Sequence, residues 1–269
     1  MPTKHPWRLI EMTLKMVRKA KYEVAVLPFG ATEPHNLHLP YGTDIYEVAE
    51  VCDRACKAAW NKGARVALLP TIPFGCDQNM MEFPMTINVD QEQLDGIVLS
   101  VANSLHKHGV NKLVVVNGHG GNNFQGGVRT IRGKSPVFVS VVNWYQAASA
   151  HDGKLVFEYY GEHADEMETS MIQAIAPELV DMDSADDGGV RPSLFQGARD
   201  GWVWYPRQWE RLTTNSGHGY PHAASAEKGE KYMKQAEERM AQFFVELARA
   251  RQDKFFPFQN AVAKPRKQR

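Results

Sequence analysis

Four apolar runs, YEVAVLPFG (22–30), RVALLPTIPFG (65–75), KLVVVNGHGG (112–121) and PVFVSVVNW (136–144), punctuate the 269-residue chain. Three of them hold an unbroken apolar core (VAVL, VALL, LVVV) with no alternation of apolar and polar residues. A strand half exposed to water would alternate, so these strands are expected to be covered on both faces. Helical segments separate them. Thr43 offers a cap for a helix over 44–63 that stops at Gly63, Asp90 opens one through about His108, and 122–132 reads as the next. HADEMETSMIQAIAP (163–177) is amphipathic and ends at Pro177, and 225–252 forms a long charged helix. Strands alternating with helices of this length predict an α/β fold with a mostly parallel sheet. Residues 184–222 are rich in Gly, Pro, Asp and Trp without a period, and read as a long functional or interfacial loop. The chain is therefore expected to form one domain over 1–252, followed by a tail over 253–269 whose end, NAVAKPRKQR, is loose and basic.

In open parallel sheets, ligands bind at the carboxyl ends of the strands. Reactive side chains gather at just those ends: Glu33, His35 and Asp44 after the first strand, His119 after the third, and Trp144 at the end of the fourth. Glu33 and His35 are two residues apart and share a side in extended backbone. Asp44 sits in the first turn of a helix, where the dipole favours its anion. Around His119, Gly118, Gly120 and Gly121 permit sharp turns and close approach of a ligand. Two imidazoles and two carboxylates suit zinc, manganese or iron(II), and a carboxylate such as Asp44 can bridge two ions. A phosphate-binding reading of NGHGG ranks below metal, because it lacks GxGxxG or Walker spacing and a Lys. His38 reads as a wall residue hydrogen-bonded in the turn, with a ligand role as the alternative.

GEHADEMETS (161–170) adds a second cluster. Acidic residues at a helix start are ordinarily dipole compensation, but Glu162 and His163 precede the helix and could act as a general acid/base pair. Glu168 falls within an apolar stretch (Met167, Met171, Ile172), where a carboxylate needs a partner, and a metal is one candidate.

Composition narrows the partners. Lys plus Arg and Asp plus Glu are equal at 31 each, which argues against general attraction to nucleic acid or anionic lipid. No window reaches the ~18 apolar residues of a membrane span, and the charged N-terminus does not read as a signal peptide. Three cysteines suit a reducing cytoplasm, with Cys52 and Cys56 as packing residues on a helix.

Together these segments resemble the creatininase family of metal-dependent amidohydrolases. GATEPHNLHLPYGTD stands where the family reads GSTEQHGPHLPLGTD, followed by NGHGGN, by HADEMETS against HAGEIETS, and by GYPHAASAEKGE against GDPxxASAEKGE. The resemblance implies a single-domain three-layer α/β/α sandwich, assembled as a homo-oligomer, typically a hexamer. It implies metal ligands at Glu33, His35, Asp44 and His119, with Asp44 as the bridge and one or two ions per subunit. His163, with Glu162 beside it, falls on the proton-handling position, and Trp144 on a tryptophan of the substrate pocket, whose wall also includes Gly120, Gly121 and His38. The chain departs at Gly121, where creatinine-hydrolysing members carry a Glu ligand, and Glu168 is the substitute ligand this implies. It departs again at FPMT (83–86) against FPGT, and in the loop 188–212.

The expected function is hydrolysis of a small cyclic amide or another amide or formamide bond by metal-activated water. One alternative is carbon–carbon hydrolysis of a cyclic keto-polyol, a ring that the aromatic loop (Trp202, Trp204, Tyr205, Trp209) could stack against, although such a loop is more often an oligomer contact. A second alternative is a non-catalytic scaffold that has kept the fold.

Overall fold

In the computed structural model, which describes residues 5–149 and 156–262, the central strands are the most deeply buried. Strands β1 (Val24–Phe29) and β3 (Lys112–Asn117) are buried along their whole length. They pair in parallel from Ala25 against Leu113 to Phe29 against Asn117. β2 (Val66–Leu68) adds outside β1, and β4 (Phe138–Asn143) outside β3. The sheet runs β2-β1-β3-β4 with every pairing parallel.

Alternate residues of the inner strands feed two separate cores. Val24 and Val26 join Val114 and Val116 on one face, while Ala25, Leu27 and Phe29 join Leu113 and Val115 on the other. Burial on both faces explains why these strands are continuous apolar runs. Helix α1 (Leu14–Ala20) precedes the sheet, and α2 (Thr43–Asn61), α3 (Gln91–Lys107), α4 (Phe124–Ile131) and α5 (Trp144–Ser149) follow the four strands in turn. The chain continues through α6 (Glu166–Ile175), the short α7 (Gln196–Arg199) and α8 (Trp209–Leu212), and the long α9 (Ala226–Arg249). α2, α5, α6 and α9 pack on the first face, with Cys52 and Cys56 buried among them. α3 and α4 cover the second. This is a three-layer α/β/α arrangement.

A buried cation ties the layers together. Lys112 Nζ donates to the carbonyls of Leu247, Ala248 and Ala250 at 2.7, 3.2 and 2.6 Å, satisfying acceptors that the last turn of α9 leaves open.

Several boundaries fall inside the expected ones. β2 stops at Leu68 rather than running to Gly75, because Pro70 and Pro73 lack the N–H a ladder needs. Beyond it the Leu69 N–H still reaches the Val26 carbonyl at 2.9 Å, and the next contact is a Phe29–Ile72 bridge. Pro28 is tolerated in an inner strand for a related reason: its carbonyl faces the side where β2 has ended, so its missing N–H faces there too. Trp144 opens α5 instead of closing β4. α6 begins at Glu166, after Asp165 accepts the Glu168 N–H at 3.0 Å as its cap. In the tail, Phe256 packs edge-on against Phe138 at 4.8 Å, and residues 263–269 of the expected basic end lie outside the described residues. No helix among the described residues is long and apolar enough to cross a membrane.

Candidate metal centre

All four strands deliver polar side chains to one edge of the sheet. Glu33 and His35 follow β1, Asp77 follows the irregular extension of β2, His119 follows β3, and Trp144 follows β4. Asp44 enters from the first turn of α2 and Glu168 from that of α6.

Asp44 is the centre of the arrangement. Its Oδ1 lies 3.1 Å from His35 Nε2, and its Oδ2 lies 2.9 Å from His119 Nδ1. Glu168 Oε2 stands 3.7 Å from the same His35 nitrogen, and Glu33 Oε1 stands 3.0 Å from the same His119 nitrogen. Two ligand groups therefore share Asp44. His35, Asp44 and Glu168 have donor atoms within 4.8 Å of one another, as do Glu33, Asp77 and His119 and also Glu33, His35 and His163, and His119 is the ring that meets the other Asp44 oxygen. The Glu33, His35, Asp44, His119 and Glu168 predicted from sequence come together here, and each is buried.

The hydrogen bonds around the rings decide what the cluster can hold. His35 Nδ1 donates to the Glu33 carbonyl at 3.1 Å. In a neutral ring the lone pair then sits on Nε2, aimed at two carboxylates. Asp44 Oδ2 is buried and lacks an aligned hydrogen bond despite its short distance to His119. Lone pairs facing carboxylate oxygens repel unless positive charge lies between them, which is the condition a divalent ion meets. Without an ion, protons take that place. Burial opposes charge on His35, but Glu168 and Asp44 outweigh it and push its pKa up to about 10. His119 moves well above its ordinary value against the same opposition, driven first by Glu33. Burial raises Glu33 to about 7 and Glu168 to about 8, the latter with His35 acting against it. Asp44 stays well below the ordinary carboxylate range, because the two imidazoles outweigh its burial. The donor set, carboxylate oxygen and imidazole nitrogen, suits zinc, manganese or iron(II).

His163 stands beside this cluster. Its Nε2 donates to the Pro34 carbonyl at 2.8 Å, which leaves Nδ1 facing Glu33 Oε1 at 3.7 Å. Its ring lies against His35 at 4.2 Å between centroids and edge-on to Trp209 at 5.0 Å. Burial and then the charge of His35 hold its pKa well below the ordinary value.

Glu162 does not pair with His163. Its carboxylate accepts from Arg207 at 2.6 Å and from the Tyr160 hydroxyl at 2.7 Å, and lies 3.5 Å from His218 Nδ1. Those partners, His218 first, hold it well below the carboxylate range. His38 braces α6 through Thr169 Oγ1 at 2.9 Å and belongs to none of the ligand groups. Trp144, Gly120 and Gly121 line the cavity over the cluster. The buried Trp144 Nε1 has no hydrogen-bond partner among the described residues.

Two buried carboxylates escaped the sequence reading. Asp77 lies with one oxygen 2.9 Å from His119 Nε2, and Glu47 lines the cavity one turn beyond Asp44. Both had a signal. Asp77 follows the second apolar run, at the same sheet edge as the other ligands. Glu47 interrupts the buried face of α2, three residues from Asp44.

The cavity above the cluster has a volume of about 1330 Å³. The loop that fits no creatinine-hydrolysing pattern supplies part of its wall, including Trp204, Tyr205 and Trp209. Arg207 lies over the Trp209 ring at 5.4 Å while paired to Glu162.

Comparison with known proteins places this geometry. The family model Creatininase, described as creatinine amidohydrolase, matches residues 10–244. A mycofactocin precursor peptide peptidase of Mycobacterium ulcerans (strain Agy99) is 30% identical over 66% of this chain and 69% of its own. The creatinine amidohydrolase of Pseudomonas putida is 29% identical over 61% and 68%. A 3-dehydro-scyllo-inosose hydrolase of Thermotoga maritima is 28% identical over 70% and 62%. Among solved structures, a protein of Bacteroides fragilis NCTC 9343 superposes with a TM-score of 0.85 at 36% identity, covering 94% of this chain and 100% of that one. A structure named "Creatininase Mn" gives 0.72 at 25% identity, over 91% and 99%.

Proposed function

The chain belongs to the creatininase family of hydrolases, and from that footing we propose that it hydrolyses an amide carbon–nitrogen bond with the help of a divalent metal. The observation that carries this reading is the position of Asp44, with one oxygen toward His35 and the other toward His119. Glu33 and His119 would hold one ion, His35 and Glu168 a second, and Asp44 would be shared. A divalent ion bound there supplies a water of pKa near ~7 and polarises the substrate carbonyl.

The chain's own groups do the rest. The Pro34 carbonyl fixes the Nε2–H of His163, so Nδ1 takes up a proton on the side facing the cluster and passes it to the leaving nitrogen. The buried Trp144 Nε1 is a donor available to a substrate oxygen. The aromatic wall shields the reacting bond from bulk water.

A cavity of about 1330 Å³ far exceeds a single small ring. It has room for a short peptide, a cyclic amide or a keto-polyol. Creatinine, formamides, lactams, short peptides and a keto-inositol, each tried with zinc, manganese or iron(II), form the deciding screen. Metal analysis of the purified chain comes first. No bound transition metal, with stability unchanged in chelator, would leave only the non-catalytic scaffold. Homo-oligomerisation belongs to the same proposal. Leu194, Phe195 and Trp202 are exposed on the loop and offer apolar contact surface, and sedimentation tests it.

A further inference from the structure

The metal reading leaves two deeply buried carboxylates unused, Glu47 and Asp77, and Asp77 is the one in contact with a ligand-type histidine. Asp77 is fully enclosed, and neither carboxylate oxygen has an aligned hydrogen bond among the described residues. Its described ion-pair partner is His119, whose Nε2 lies 2.9 Å from Oδ1 and also 3.3 Å from the Cys76 carbonyl, so the carboxylate and the carbonyl share that side of the ring. That nitrogen is on the far side of the ring from Nδ1, the atom facing Glu33 and Asp44. We propose that Asp77 is a positioning residue for His119: it takes the Nε2–H and so makes Nδ1 the nitrogen presented to the metal. The inference rests on the reading of this site as a metal centre.

The surrounding backbone is arranged for this contact. The Asp77 N–H donates to Asn88 Oδ1 at 2.8 Å, and the Asp77 carbonyl accepts from Met80 at 2.8 Å, which fixes the residue from both sides. The Cys76 N–H donates to Asn122 Oδ1 at 2.9 Å, binding this segment to the turn that carries His119. Gly121 permits the closeness. A Cβ there would overlap the Cys76 carbonyl and His119 Nε2. Gly121 thus makes room for the Cys76 carbonyl, and with it the start of the segment that carries Asp77, against the same histidine.

Direct ligation by Asp77 is the competing arrangement, since Glu33, Asp77 and His119 also have ligand atoms within 4.8 Å of one another, but it would divide the centre. The two nitrogens of an imidazole point apart, so an ion between Asp77 and Nε2 would not be shared with Asp44. A metal-bound histidine ordinarily gives its second N–H to a carboxylate or carbonyl, which sets the tautomer and raises the basicity of the ligating nitrogen.

The test compares the full-length wild type with Asp77→Asn. Zinc affinity measured by competition with a chromophoric chelator should fall roughly 10–100-fold in the variant, while the unfolding midpoint of the metal-free protein is not lowered. Nitrogen-15 NMR of the wild type, needing no variant, should show that zinc shifts His119 Nδ1 and leaves a proton on Nε2. Affinity within twofold of wild type in Asp77→Asn overturns the proposal, and so does zinc on Nε2. A wild type that takes up no zinc is a different failure, since it removes the metal centre itself and this inference with it.

Discussion

Asp44 and His119 meet where α2 begins and β3 has just ended, Oδ2 to Nδ1 at 2.9 Å, while the other oxygen of Asp44 faces His35 at 3.1 Å. No other side chain touches both imidazoles through separate oxygens in the described contacts. Asp44→Asn keeps the shape but removes the negative charge and replaces one of the two oxygens with an NH2 group that cannot ligate. The expected result is sub-stoichiometric metal by mass spectrometry and hydrolysis at background. Full metal occupancy with wild-type turnover in this variant would sink the shared-carboxylate reading.

Metal should also stabilise the fold. Glu33, Asp44 and Glu168 are each buried, and without a cation the site must take up protons or bear the repulsion of these carboxylates. An ion present at a hundred times its dissociation constant contributes about 2.7 kcal/mol. At roughly 2–4 °C per kcal/mol for a chain of this size class, chelation should lower the unfolding midpoint by about 5–10 °C. Calorimetry with and without chelator reads this directly, and restoring zinc should reverse it.

Much of this centre was legible in the chain because it obeys one rule: functional side chains follow buried strands. Glu33, His35, Asp44 and His119 stand out because Gly and Pro bracket them at such ends. Asp77 obeys the same rule but is hidden by the length of the second run, since β2 stops at Leu68 and the next seven residues look like strand. Glu162 misled for the opposite reason. Adjacency to His163 suggested a pair, yet neighbouring residues in extended backbone point to opposite sides. Its true partner, Arg207, is 45 residues away in a loop without periodicity.

The Arg207–Glu162 contact, 2.6 Å long and stacked over Trp209, fixes the loop wall against the cavity. Arg207→Ala should release that wall without touching the ligand cluster. The expected signature is a raised KM with kcat held near wild type for any substrate found in the screen. A drop in kcat with unchanged KM would mean the loop acts on chemistry instead of binding.

Far from the site, Asp53 gathers the N-terminal segment. It accepts from Trp7 Nε1 at 2.6 Å and from Arg8 Nε and a second Arg8 nitrogen at 2.6 and 2.7 Å. Burial raises its pKa, but these donors outweigh burial and hold it below the ordinary value. A depressed folded pKa means the stabilisation is complete above the unfolded value near ~3.9 and is lost as pH falls through the folded one. Asp53→Asn should cost about 1–2 kcal/mol at neutral pH, allowing for partial exposure. The gap from wild type should stay constant from about pH 8 to 5 and close below about pH 4. A gap that persists at low pH would assign the effect to packing.

His163 raises the sharpest question, because its Nδ1 is close enough to Glu33 and His35 to be counted with the ligands. The Pro34 carbonyl separates the two roles. It fixes the Nε2–H at 2.8 Å, and the ring lies tilted by 34° against His35 at 4.2 Å, with its Nδ1 toward Glu33 and not toward Asp44. A ligand lost would lower metal occupancy, whereas a proton carrier lost would lower turnover alone. His163→Ala is therefore expected to bind zinc at wild-type stoichiometry and to lose about 10²–10⁴-fold in kcat. The loss should shrink with substrates whose leaving group needs no proton, such as activated anilides. Metal loss in step with activity would make His163 a ligand and leave the proton without a carrier among the groups described.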